Sequence, residues 1–279
     1  MFVATLERLV GPFPDVVRIE SAGRCNFKCT HCPVGMFGNT RGLLSFADFV
    51  MIFESLPLIP RVLVLYHGGE PLLNKELELM IAHAKARKVD TVLFNSNASL
   101  LTVERGKALA LAGLDELRVS FDGSTPEENN QIRVGSNFEK HAAIVKQVAA
   151  LLPVTIYNVK FNDNPTPGHF LRDYFGAAVK YRTDPARIWA HNDTTSKPST
   201  GVDYCGEMSE KFSILADGDV VTCCEDLLGD YRFGNVFYES PLTIWERMQP
   251  IRDTFARKDY PELCKHCYVV TGARLELDK

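Results

Sequence analysis

Cys25-Asn26-Phe27-Lys28-Cys29-Thr30-His31-Cys32 sets three thiols at spacings of four and three residues, just after the apolar run Val16-Val17-Arg18-Ile19. Thiolates spaced this way can converge from a single loop on one compact ion or cluster, and soft sulfur ligands select zinc, copper(I) or iron–sulfur. Three thiolates are one short of closing a four-iron cube, so a cluster held here keeps one corner open for chemistry. Structural zinc is the alternative, and it needs a fourth ligand. His31 is the candidate, but it sits beside Cys32, a poor geometry for joining the same tetrahedron.

Working outward, the chain alternates apolar strands with amphipathic helices from residue 15 to about 190. Arg61-Val62-Leu63-Val64-Leu65-Tyr66 is a near-continuous apolar run, as in a strand buried on both faces of a parallel sheet. Leu77, Met80, Ile81 and Ala84 repeat at helical spacing. Strands are expected at Val16–Ile19, Arg61–Tyr66, Thr91–Phe94, Leu117–Phe121, Val154–Val159 and Arg187–Trp189. Helices are expected from Ser45 to about Leu56, Thr102 to Leu111 and Phe138 to Leu151. Six strands joined by right-handed helical crossovers imply an α/β fold, a partial (β/α)6 TIM-like barrel. Its catalytic loops belong at the strand C-terminal ends. The cysteine loop, His67-Gly68-Gly69-Glu70-Pro71, Asn95-Ser96-Asn97 and Asp122-Gly123 all fall there.

A second cysteine group follows a polar stretch over 192–204 that reads as a linker, dividing the chain into 1–192 and 193–279. Phe212 to Thr222 reads as a β-hairpin turning at Gly218, and Thr243 to Arg257 as a helix interrupted at Pro250. Cys205, Cys223, Cys264 and Cys267 supply four thiolates, enough to close a cluster, with four-cysteine zinc as the alternative. Cys224 is the leftover of the chain's eight cysteines. The spacing after Gly218 favours Cys223 as the ligand, and the reverse assignment stays open.

At 279 residues and 46% hydrophobic, the chain can bury a large core. A net charge of −4 with scattered Lys and Arg gives no footprint for nucleic acid or for a polybasic membrane patch. No stretch is apolar over the roughly 18 residues a spanning helix needs, and the N-terminus has no secretory pattern. A cytoplasmic setting is expected, where clustered cysteines point to metal or catalysis more than to disulfides.

These features resemble the radical S-adenosylmethionine (SAM) enzymes, through the CxxxCxxC loop after the first strand, Gly68-Gly69-Glu70-Pro71 and Ser120-Phe121-Asp122-Gly123. The resemblance implies that Cys25, Cys29 and Cys32 hold a 4Fe–4S cluster whose fourth iron is chelated by SAM. Reductive cleavage of SAM then gives a 5′-deoxyadenosyl radical that abstracts hydrogen. It also implies that His31 lies against the adenine and that Gly68, Gly69 and Glu70 receive the methionine amino group. Asn97 and Ser120 are implied as ribose or methionine contacts, and Arg133 as partner of the methionine carboxylate.

The spacing Cys205, Gly218, Cys223, with Gly234-Asn235, Ile244-Trp245 and the later Cys264 and Cys267, resembles the SPASM/Twitch module in its shortened form. That implies a second, auxiliary 4Fe–4S cluster on Cys205, Cys223, Cys264 and Cys267, relaying or accepting electrons. The small module is similar to that of the 2-deoxy-scyllo-inosamine dehydrogenases, which oxidise an aminocyclitol alcohol. The expected substrate is therefore a small molecule such as a sugar or cyclitol, with Lys160 and Arg187, near the ends of late strands, as candidate bases. Modification of a precursor peptide is the alternative. Only some fifteen residues precede the first strand, where peptide-modifying relatives commonly carry a recognition domain. A flavodoxin- or ferredoxin-type reductant is the expected electron source.

Overall fold

A computed structural model describes residues 13–38, 41–160, 168–185 and 201–271. Six parallel strands run in sequence order: β1 (Val16–Ile19), β2 (Val62–Val64), β3 (Thr91–Ser96), β4 (Glu116–Ser120), β5 (Val154–Lys160) and β6 (Lys180–Pro185). Between them lie α1 (Pro33–Phe37), α2 (Phe46–Glu54), α3 (Leu77–Ala86), α4 (Val103–Ala112), α5 (Pro126–Ile132), α6 (Phe138–Val148) and α7 (His169–Phe175). Helix starts follow local chemistry. Ser45, Thr102, Thr125 and Asn137 each accept a backbone N–H from three residues on, so α2, α4, α5 and α6 begin on satisfied donors.

Side-chain alternation along the strands separates two environments. Val17 and Ile19, Leu63 and Leu65, Val92 and Phe94, Leu117 and Val119, and Val154 and Ile156 face the helices. There they share one apolar core with Phe49, Ile52, Met80, Ile81, Leu109 and Val145. The opposite, inner face mixes the buried Val64 and Leu93 with charged and aromatic side chains. Arg18 stands 5.9 Å from the Tyr66 ring, and Arg118 and Arg182 each lie 5.4 Å from the Tyr157 ring. An open barrel with a mixed lumen follows, the expected partial (β/α)6 architecture.

The last third joins the same sheet. Strand β7 (Lys211–Ile214) pairs in parallel with β1, aligning Val17 with Phe212 and Ile19 with Ile214. Then β8 (Asp219–Val221) and β9 (Arg232–Asn235) continue antiparallel, giving the order β6-β5-β4-β3-β2-β1-β7-β8-β9. The hairpin turns at Gly218, whose φ of +84° is open to glycine at little cost. The short helices α8 (Gly206–Ser209), α9 (Pro241–Arg247), α10 (Gln249–Ala256), α11 (Glu262–Lys265) and α12 (Tyr268–Thr271) complete the module. Pro250 stands at the start of α10 and Met248 separates it from α9, so the proline divides one sequence pattern into two helices.

The sixth strand among the described residues is Lys180–Pro185, and the expected strand at Arg187–Trp189 lies outside them. Lys-Tyr-Arg-Thr-Asp-Pro has no apolar alternation because β6 is an edge strand with a half-exposed inner face.

The junction between barrel and hairpin is held by a buried ion pair. Glu20, fully buried just after β1, accepts from Arg41 Nε and Nη2, both at 2.8 Å. Its carboxylate also accepts from the backbone N–H groups of Gly68 at 3.0 Å and Ala216 at 3.1 Å. Burial pushes Glu20 up, but the Arg41 hydrogen bonds and the charges of His67 and Arg41 outweigh it and hold the carboxyl below its ordinary range. Removing one partner of such a pair leaves an uncompensated buried charge. Arg41→Met is expected to cost about 3–5 kcal/mol, and Glu20→Gln/Arg41→Met clearly less, read by urea unfolding of the anaerobic protein.

Candidate active site and metal centres

The cysteine loop is shaped by contacts on both sides. Lys28 N–H donates to Val134 O and Thr30 N–H to Ile132 O, both at 2.9 Å, fixing the loop against the end of α5. Cys32 is the N-cap of α1, and burial pushes its thiol up against the opposing pull of the Gly35 and Val34 N–H groups. A Cβ on Gly35 would stand 2.7 Å from Cys29 O, so only glycine lets α1 pack onto the loop. The three thiols thereby line one cavity of about 140 Å³, together with Gly68, Gly69, Glu70, Asn97, Ser120, Arg133 and His31. All ten residues that the resemblance assigned to the cluster and SAM meet in this one place.

Their local roles differ from one another. Gly69 is required by the backbone: a Cβ there would lie 1.9 Å from Ala22 O. Glu70, fully buried, accepts from Leu72 N–H (3.0 Å), Ser96 Oγ (2.8 Å) and Asn97 N–H (2.7 Å). It ties the glycine turn to the end of β3 and has little capacity left for an incoming amino group. Burial raises it above the usual carboxylate range. Asn97 Nδ2 donates to Asn26 Oδ1 at 3.0 Å and lies 3.7 Å from Cys25 Sγ. Arg133 is not free of partners, since its Nη1 donates to Asp122 Oδ2 at 2.7 Å. Burial pulls this guanidinium down, but Cys29 and Asp122 outweigh it and leave it above its ordinary value. Its Nε remains buried with no hydrogen-bond acceptor among the described residues, as does Asn95 Oδ1 as an acceptor without a donor. These two orphaned groups, in a cavity that also holds three thiols and a glycine turn, fit an iron–sulfur cluster with an amino-acid ligand.

Sequence reasoning placed Asn95 on this rim without giving it a role, and it missed two other lining groups. Asn95 lines the cavity from β3, Tyr66 from the β2 end, and Leu227 reaches it from the hairpin module. Residue spacing carries no signal for Leu227. It is placed by Arg41, whose guanidinium donates to Leu227 O at 3.0 Å and Leu228 O at 3.3 Å. His67 Nε2 lies 2.9 Å from Asp226 O, a second tie to the same segment. Of the candidate bases, Lys160 ends β5 on the correct rim, with its side chain outside the described set, and Arg187 lies outside the described residues.

The second centre is tighter. Cys205, Cys223, Cys264 and Cys267 line a cavity of about 10 Å³ with Met208, Phe255 and Val270, and with Glu207, Thr222 and Glu225 on its polar side. Cys224 points the other way: its thiol donates to Glu207 Oε2 at 3.1 Å, on the side of Arg18 and Tyr66. Cys223 and not Cys224 thus lines the cavity with the other three thiols. All eight cysteines are free thiols. Burial pushes Cys29 up to about 11 and Cys264 up to about 12, and it raises Cys223 and Cys267 as well. Such thiols ionise only against a strong positive charge, which iron supplies. Both cavities therefore suit thiolate-bound clusters.

Two outcomes follow from this geometry. Cys223→Ala in the anaerobically reconstituted protein is expected to lose about four irons per chain, whereas Cys224→Ala keeps its iron, both read by iron and sulfide assay. His67 carries the pH dependence: burial lowers it from 6.5 to about 4. Between those values the unfolded chain binds the proton and the folded one does not, so stability falls as pH drops from 6.5 towards 4. The loss reaches roughly 3 kcal/mol, and His67→Gln removes that part of the slope in urea titrations across this range.

Comparison with known proteins agrees with both centres. The model of the Radical SAM superfamily matches residues 19–167, and that of SPASM, an iron–sulfur cluster-binding domain, matches 205–268. A probable GTP 3′,8-cyclase of Methanococcus maripaludis is 30% identical over 147 residues, covering 52% of this chain and 48% of that protein. The chain thus spans about half the length of the curated relatives it matches. The structure of BtrN in complex with AdoMet and 2-DOIA superimposes with a TM-score of 0.61 at 18% identity, over 91% of this chain and 93% of that one. Streptococcus suis SuiB bound to precursor peptide SuiA gives 0.67 at 13% identity, over 99% of this chain and 74% of that one. At these identities the structural likenesses speak for the fold alone. The open three-thiol loop, the glycine turn and the closed four-thiol pocket coincide with the two matched families: the chain belongs to the radical SAM superfamily and carries a SPASM iron–sulfur cluster-binding domain.

Proposed function

We propose that this radical SAM enzyme oxidises a small-molecule alcohol, a sugar or cyclitol, to the carbonyl. The observation that carries the reading is the closed second centre. Four thiols around a cavity of only about 10 Å³ leave no position for a substrate atom, which suits an electron acceptor and not a binding site. Cys25, Cys29 and Cys32 would hold the open 4Fe–4S cluster, and Cys205, Cys223, Cys264 and Cys267 the auxiliary one. The open cluster with SAM supplies hydrogen-atom abstraction. For the alcohol, the balance is one hydrogen atom lost from carbon, one proton from oxygen and one electron passed to the auxiliary centre.

The chain's own residues prepare this. Gly69 brings the turn against the cysteine loop, and Glu70 fixes the end of β3 where Asn97 stands. Asp122 aims the Arg133 guanidinium into the cavity, leaving Nε for a carboxylate. His31, half-buried in the same wall, is available to the adenine, and Ser120 ends β4 beside it. The polar part of the lumen, Tyr66, Arg118 and Tyr157, adjoins this cavity and offers hydrogen bonds to a hydroxylated substrate. Lys160 and Arg187 are proposed as candidate bases for the hydroxyl proton, in a cytoplasmic setting.

A second reading is radical modification of a ribosomal peptide, in the same fold as SuiB with its precursor peptide. Anaerobic assay with deuterated alcohols or deuterated peptides distinguishes the two by which pool transfers deuterium into 5′-deoxyadenosine. Transfer from a peptide and from no alcohol would overturn the first reading. Cys25→Ala/Cys29→Ala/Cys32→Ala is expected to abolish deoxyadenosine formation. Cys264→Ala/Cys267→Ala is expected to keep some SAM cleavage while losing the oxidised product.

A further inference from the structure

Thr222 stands between the end of β8 and Cys223, and it lines the second cavity with the four thiols. It is 2% exposed, and its Oγ1 has no hydrogen-bond partner among the described residues. The other buried serine and threonine hydroxyls among those residues are all engaged. Ser21 donates to Leu65 O, Ser96 to Glu70, Thr155 to Glu116 and Thr271 to Cys267 O, while Ser213 accepts from Arg18. A hydroxyl can rotate to any acceptor in reach, and leaving one buried without a partner is costly. Valine would fill the same shape at no such cost. The retained hydroxyl therefore marks a place where something other than the polypeptide accepts its hydrogen bond.

The wall limits what that acceptor is. Glu207 and Glu225 line the same cavity, and Thr222 bonds to neither. Glu207 is engaged instead by Lys211, by Arg18 at 4.0 Å and by the Cys224 thiol at 3.1 Å. Met208, Phe255, Leu263, Val269 and Val270 offer no strong acceptor, which leaves the sulfurs. Sulfur accepts well once it carries negative charge, as a thiolate or a cluster sulfide.

We propose that the Thr222 hydroxyl donates a hydrogen bond to a sulfur of the auxiliary cluster, and that this bond raises the potential at which the cluster takes up an electron. The proposal deepens the reading of the second centre as an electron acceptor and rests on it. Uptake adds one electron and no proton, so the cluster gains one negative charge, spread over its sulfides and thiolates. An O–H dipole aimed at one of those sulfurs stabilises the reduced cluster more than the oxidised one. The apolar part of the wall strengthens the bond, because little there screens it. The buried carboxyl of Glu225, when ionised, acts in the opposite sense, and the hydroxyl offsets part of its effect.

The test uses the anaerobically reconstituted holoenzyme in a potentiometric titration followed by electron paramagnetic resonance. The auxiliary signal is the one missing from Cys264→Ala/Cys267→Ala. Thr222→Val is expected to lower the reduced-to-oxidised ratio of that signal about tenfold at a fixed potential, a shift of ~59 mV for one electron. The signal of the three-cysteine cluster should keep its position. Thr222→Ser, which retains the hydroxyl, should stay near the unaltered potential. An unchanged potential in Thr222→Val would overturn the proposal. An equal fall in Thr222→Ser would overturn it too, since packing and not the hydroxyl would then be responsible. Thr222→Ala also lacks the hydroxyl and decides the question in the same way if Thr222→Val fails to hold its second cluster. If the unaltered enzyme cleaved SAM but oxidised no alcohol, the substrate reading would fail, and the titration would still decide the hydrogen bond.

Discussion

The Glu20–Arg41 pair carries more of this molecule than any other contact. One carboxylate, fully buried, receives the glycine turn after β2, the hairpin backbone at Ala216 and both ends of a guanidinium. The guanidinium in turn holds the carbonyls of Leu227 and Leu228. A buried ion pair contributes little net stability against well-packed apolar side chains. What it gives here is relative position: the turn that faces the cysteine loop and the segment that follows Cys223 are fixed to the same two side chains. The two centres are thereby held in one frame, although each is built from a separate stretch of sequence.

The division of chemistry follows from how each thiol group is enclosed. The first group stands in a loop at a strand end, beside groups whose hydrogen bonds are incomplete, Arg133 Nε and Asn95 Oδ1. Buried polar groups without partners are costly, and their retention marks a place where a ligand completes them. The second group is packed against Met208, Phe255 and Val270, with Glu207, Thr222 and Glu225 also in the cavity wall. The first cavity leaves about 140 Å³ beside its thiols and the second about 10 Å³, so the one suits binding and the other electron storage.

Much of this was legible in the residues because it is local. The three-cysteine spacing, the Gly-Gly-Glu-Pro turn and the hairpin glycine are all set by backbone geometry within a few residues, and each falls where it was expected. The five strands from Val16 to Lys160 were readable because each buries one face under helices. Lys180–Pro185 was not legible as a strand because, at the edge of the described sheet, it has no such face to bury. Glu20–Arg41 and Asp122–Arg133 escaped notice for a different reason. A charged residue that will be buried looks like any surface charge until the fold brings its partner. Leu227 was illegible for the same reason, being placed by Arg41 from 186 residues away.

The parallel pairing of β7 with β1 bears on how such a protein can be assembled or taken apart. The strand belonging to the cysteine-rich third is hydrogen-bonded in the middle of a nine-stranded sheet, not attached at its rim. Excising that third would strip β1 of a neighbour and open a raw edge beside the catalytic loop, an invitation to misassociation. The annexe is thus a wall of the house.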